Sequence, residues 1–164
     1  MFVVQTATAP QGHFMKNMLA FLNYSDSPAV MDVYTPCQAE HGIGDAQAAE
    51  HARLAVESRM NPVFVHDPRR GDKLSQWFSL EGNPDADKDW TMQSIEYVDA
   101  DGLTKLLNVP LTPADFAAKE ARFKKHFRKL AADAEGVPVH EYVTLPPAAR
   151  EGRVPYVVST DSNA

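Results

Sequence analysis

The chain has 164 residues, 44% of them hydrophobic, which is enough for one globular core and too little for two comfortable domains. A formal net charge of −6 and a pI near 5.4 argue against nucleic acid as a partner, because a phosphate backbone calls for a surplus of Lys and Arg on one face. No apolar run approaches the roughly 20 residues that span a bilayer, and MFVVQTATAP lacks the basic region and long apolar core of a signal peptide, so a cytoplasmic chain with no membrane contact is expected.

Residues 2–5 are a short apolar run, and Pro10 and Gly12 lead into a helix expected over 13–23, with Phe14, Met18, Phe21 and Leu22 as its apolar stripe. Ser25 to Pro28 break it. Residues 29–34 read as a strand covered on both faces and ending at Thr35-Pro36. The loop 37–44 runs to Asp45, an expected N-cap for a helix over about 46–59 whose small face is Ala48, Ala52, Ala55 and Val56. Asn61-Pro62 stops that helix before a third strand at 63–66. Helical crossovers between short apolar strands predict parallel pairing, in a thin sheet with two open edges.

Over 71–111 the glycines and prolines punctuate a stretch with few periodic runs, which predicts an irregular arm lying over another surface. Thr112, Pro113 and Asp115 are helix-start signals, and a helix over 112–135 is expected to carry Phe116, Phe123, Phe127 and Leu130 as its stripe. An extended tail over 136–164 follows, with β-like runs at 139–145 and 154–159.

Several segments in order carry a resemblance. Phe2-Val3-Val4-Gln5 is followed by Val33-Tyr34-Thr35-Pro36-Cys37 with His41-Gly42-Ile43, then Leu54-Ala55-Val56-Glu57-Ser58, then Pro62-Val63-Phe64-Val65-His66-Asp67-Pro68-Arg69. Together they resemble the C-terminal part of the thiamine-diphosphate-binding domain of pyruvate (2-oxoacid):ferredoxin oxidoreductases, and Glu120-Ala121-Arg122-Phe123 resembles a helix near the end of those enzymes. The resemblance implies an α/β chain: the C-terminal half of such a domain over residues 1–70, with a short parallel sheet and flanking helices, then the arm, the helix and the tail. It implies a component or fragment of an enzyme that converts a 2-oxoacid and coenzyme A to acyl-CoA and carbon dioxide, passing electrons through iron–sulfur clusters to ferredoxin or flavodoxin. Thiamine diphosphate and Mg²⁺ are its implied cofactors.

In that family a Gly-Asp-Gly segment and a later Asn hold Mg²⁺ and the diphosphate. Gly44-Asp45-Ala46 and Gly71-Asp72-Lys73 do not continue to that pattern, so the ligands are expected outside this chain, in the remainder of the enzyme or a partner subunit. Cys37 is the sole cysteine, so any iron–sulfur clusters are likewise expected on other parts.

Cys37 and His41 stand in the loop after the second strand, at the carboxyl edge where ligands collect in open α/β sheets. A thiolate beside an imidazole suits a nucleophile or a metal pair, and it also suits a packed turn, the reading favoured here. The resemblance implies a loop that borders the active site, with no covalent role for Cys37. Gly42 and Gly44 before a helix offer N–H groups to an anion or simply make a tight turn, and Arg69 and Arg70 suit an anion clamp or surface ion pairs. His13, His51, His66 and Asp67 have no compact metal-ligand spacing, and no dedicated zinc site is expected. Residues 119–129 hold six basic residues against one acid, a solvated face or a docking surface for acidic ferredoxin or a coenzyme A phosphate.

Overall fold

A computed structural model describes residues 1–158. In β1 (Phe2–Ala7), Phe2, Val4 and Thr6 are buried while Val3 and Gln5 are half-buried, the two-residue period of a strand. Helix α1 (Gln11–Leu22) follows, and its sheet-facing row differs from the expected stripe. His13 and Asn17 are the buried residues, Ala20 and Phe21 pack on the core, and Leu22 is 68% exposed. Burial of two polar side chains is tolerated because each has a partner: His13 Nδ1 lies 2.9 Å from the Thr6 hydroxyl, and Asn17 Nδ2 donates to the His13 carbonyl at 2.8 Å.

Strand β2 (Ala29–Tyr34) lies parallel to β1, with Phe2 opposite Ala29 and Ala7 opposite Tyr34. A short helix α2 (Gln38–His41), a 3-10 turn at Asp45–Gln47 and helix α3 (Ala48–Glu57) lead to β3 (Phe64–His66). Ala52, Ala55 and Val56 are buried as the small-residue face predicts. Asp45 is not the cap; it is the first residue of the 3-10 turn, behind Gly44.

The all-parallel sheet is overturned at β3, which runs antiparallel to β1 with Val4 opposite Val65. The cause lies in the turn after α3. Asn61 Nδ2 donates to the Thr6 carbonyl and Gln5 Nε2 donates to the Pro62 carbonyl, so the chain enters β3 beside the carboxyl end of β1 and can only run back along it. The short helix α4 (Leu74–Trp77) and β4 (Phe78–Ser79) complete a four-stranded sheet in the order β2-β1-β3-β4, with β4 antiparallel to β3. Phe2, Val4 and Val65 form its main core cluster with Ala20, Phe21, Tyr24, Ala29 and Met31 around them.

The arm is not irregular throughout. It holds an antiparallel hairpin of β5 (Thr91–Val98) and β6 (Thr104–Leu111), closed by a turn in which Asp99 Oδ1 accepts from the Asp101 and Leu103 N–H groups. Its alternation is hard to read because both faces carry apolar side chains. Ile95 and Leu111 are buried, whereas Met92, Val98, Leu103 and Leu106 are exposed.

Helix α5 (Pro113–Ala118) starts as expected: Asp115 Oδ2 accepts from the Thr112 N–H and hydroxyl. It ends far short of residue 135, because Glu120 takes extended backbone angles and a 3-10 turn at Ala121–His126 replaces further helix. The expected stripe therefore splits, with Phe116 buried, Phe123 half-buried, and Phe127 and Leu130 exposed. Beyond it β7 (Glu135–Pro138) and β8 (Arg153–Tyr156) pair in parallel, with α6 (Val139–Tyr142) and α7 (Pro147–Arg150) between them. The tail is thus folded rather than extended, and 139–145, expected as β-like, begins in a helical turn. The end of the run 154–159 and the residues after it lie outside the described residues. Among the described residues no helix is long and apolar enough to cross a membrane.

Candidate functional site

The parallel strands β1 and β2 end together at Ala7 and Tyr34, and the side chains with chemical potential gather beyond that carboxyl edge. After Tyr34 the chain makes α2, which Gly42 closes in the left-handed conformation at φ +64° and ψ +42°. That single turn separates the two residues paired in the sequence reading. Cys37 stays exposed, whereas His41 is turned inward and is 8% exposed.

His41 meets His51 from α3 and Glu120 from the break after α5, which are 4% and 1% exposed. Glu120 Oε1 lies 2.9 Å from His51 Nε2 and 3.5 Å from His41 Nδ1. The shorter contact is a hydrogen bond; the longer one is not, and His41 Nδ1 is a buried atom with no hydrogen-bond partner. Glu120 Oε2 accepts from Arg122 Nε. A buried carboxylate left without its partners would cost about 3 kcal/mol or more, so these contacts keep the 120–122 segment seated.

Aromatic rings wall the group. Phe116 stacks on His51 with centroids 4.5 Å apart, and Tyr34 stacks on His41 at 6.2 Å. The Tyr34 hydroxyl is buried without a hydrogen-bond partner. Burial, and next the negative charge of Glu120, push its pKa up to about 12.

Sequence reasoning missed this trio because its members stand ten and then sixty-nine positions apart, a spacing that matches no local ligand motif. A usable signal was present: Glu120 is the lone acid in the basic run 119–129, and such an acid needs a reason to be there.

The other candidate residues fare differently. Gly44 does not present its N–H to an anion, because Gln47 Oε1 accepts it at 3.0 Å. Gly42 serves the turn, as its backbone angles demand. Arg69 is not a free clamp: its Nε and Nη2 donate to both oxygens of Asp67 at 2.9 and 3.0 Å, and its guanidinium lies 4.7 Å from the Tyr24 ring centroid. The Arg69 side chain and backbone N–H hold the Asp67 carboxyl below its ordinary value. Arg70 is exposed at the end of the 3-10 turn Pro68–Arg70. His66 Nδ1 lies 3.0 Å from the Met1 carbonyl, away from the trio.

Away from the trio, a small cavity is lined by Pro10, Gly12, His13, Lys16, Glu81 and Gly82. Lys16 Nζ donates to both Glu81 oxygens at its exposed mouth, and His13 Nε2 is buried without a hydrogen-bond partner. Burial lowers the His13 pKa, against a smaller raising effect of Glu81.

The group of ligating side chains the described residues offer does not suit the implied Mg²⁺. Asp45 and Asp72 are both exposed, and the group of three ligating side chains within reach of one another is His41, His51 and Glu120, a nitrogen-rich set unlike the oxygen set Mg²⁺ demands. No protein-family model matches the chain, and no curated protein or solved structure matches it.

Proposed function

We propose that the chain is a component of a thiamine-dependent 2-oxoacid:ferredoxin oxidoreductase, inactive alone, which contributes sheet and loops beside a cofactor held by other sequence. One observation carries the reading. Two separated segments that bear the resemblance, His41-Gly42 and Glu120-Ala121-Arg122-Phe123, meet in one buried joint, with Glu120 against both imidazoles and Ala121 against Gly42.

Unfinished surfaces agree with a component. Among the described residues no strand pairs with the outer edge of β2. Met15, Leu19 and Leu22 on α1 are 54%, 58% and 68% exposed, and the hairpin exposes Val98, Leu103 and Leu106. Contiguous exposed apolar surface marks a place for another surface to cover.

The second reading is a binding or assembly module that keeps the fold without the cofactor motif, and it shares with the first the expectation that Mg²⁺ ligands lie outside this chain. A cysteine-dependent enzyme is disfavoured because Cys37 faces solvent while His41 faces the core.

The test mixes the purified chain with a polypeptide, encoded in frame or adjacent upstream, that carries a Gly-Asp-Gly segment and a downstream Asn. Pyruvate, coenzyme A, thiamine diphosphate, Mg²⁺ and ferredoxin are supplied, and ferredoxin reduction is followed. The mixture should reduce ferredoxin and neither part should do so alone; stable association without reduction, for pyruvate and other 2-oxoacids alike, would favour the binding module.

A further inference from the structure

We propose that His41, His51 and Glu120 bind a single zinc-class divalent cation, and that the ion ties residues 112–126 to the α/β body. The proposal stands apart from the oxidoreductase reading, because it requires only the side chains of this joint.

Geometry is the first support. The three candidate ligand atoms lie within 4.8 Å of one another, and Glu120 Oε1 is 2.9 and 3.5 Å from the two imidazole nitrogens. A tetrahedral Zn²⁺ with ligands at about 2.0 Å sets its ligand atoms about 3.3 Å apart, so the trio needs only small side-chain adjustments to close on an ion. Two imidazoles and a carboxylate are borderline ligands, which suit Zn²⁺ or Co²⁺ better than Mg²⁺ or Ca²⁺.

A second, independent support is the orphaned His41 Nδ1. A buried ring nitrogen with no hydrogen bond carries a desolvation cost, and it faces the same carboxylate oxygen that His51 engages. A cation between the three atoms satisfies it. The surroundings resemble an outer shell of a metal site: Arg122 fixes the far oxygen of Glu120 and Phe116 holds the His51 ring.

The three side chains fill three of the four positions of a tetrahedral ion and leave the fourth for a water molecule. Cys37 is exposed and does not belong to the group, so the expected ligand set contains no sulfur.

The experiment uses the full chain, stripped of metal with a chelator and titrated with Zn²⁺ and separately with Co²⁺. The wild type should take up one equivalent and gain thermal stability, since an ion bound only by the native state stabilises it. The Co²⁺ form should show visible d–d bands without a thiolate charge-transfer band. His41→Gln and Glu120→Gln should each weaken binding at least about tenfold, while Cys37→Ser leaves it unchanged. Should either substituted chain fail to fold, paramagnetic shifts of the His41 and His51 ring protons in Co²⁺-loaded wild type locate the ion instead. Failure of the wild type to take up either ion, uptake indifferent to both substitutions, or shifts confined to other histidines would each overturn the proposal and leave a metal-free hydrogen-bonded joint.

Discussion

Gly42 lies directly against Ala121, so closely that a Cβ built on Gly42 would stand 2.4 Å from the Ala121 Cβ. Gly42 also has φ +64°, where a side chain costs roughly 1–2 kcal/mol. Backbone angle and close approach both demand glycine, and the approach seats Glu120 between the imidazoles. Gly42→Ala should therefore destabilise the chain by about 2 kcal/mol or more, measured as a lower denaturation midpoint. A neutral result would mean that the 120–122 segment does not rest on this turn.

His13 makes stability sensitive to pH. Burial, its largest influence, lowers the folded-state pKa, so the unfolded chain takes up the proton first. The stability associated with neutral His13 is whole above the unfolded value of about 6.5 and is lost as pH falls below it toward the lowered folded value. Urea denaturation at about pH 8 and about pH 5 should show a loss on acidification that is smaller in His13→Gln. Equal losses in the two proteins would remove His13 from the account.

How far these features can be read from the residues depends on the range of the interactions. The bounds of β2 were legible because a largely apolar run between Pro28 and Pro36 has few alternatives, but its expected cover on both faces fails, since it is an edge strand with Val30 and Asp32 exposed. The start of α5 was legible because Thr112, Pro113 and Asp115 act on one another. The direction of β3 was not, since it rests on Asn61 reaching Thr6 fifty-five positions away. The trio escaped for the same reason: Glu120 looks like part of a basic helix until the helix ends and its carboxylate meets His51. The sheet-facing side of α1 was misjudged because His13 and Asn17 are polar by type yet sit buried, held by hydrogen bonds of His13 Nδ1 to Thr6 and of Asn17 to the His13 carbonyl.

The hairpin offers a separable test of the component reading. Leu106 is 68% exposed and stands opposite Glu96. Leu106→Lys should change folding stability by no more than about 0.5 kcal/mol, because little is buried and the new charge faces an acid. It should nevertheless weaken association with the complementing polypeptide, read by sedimentation. Unchanged association would show that this face of the hairpin is not covered in the assembly.

Whether the cofactor is held outside this chain is tested most directly by the thermal midpoint in the presence of thiamine diphosphate and Mg²⁺. The account predicts no shift for the chain alone and a clear rise once the complementing polypeptide is added, since a ligand stabilises only a native state that binds it. A clear rise with the chain alone would contradict it.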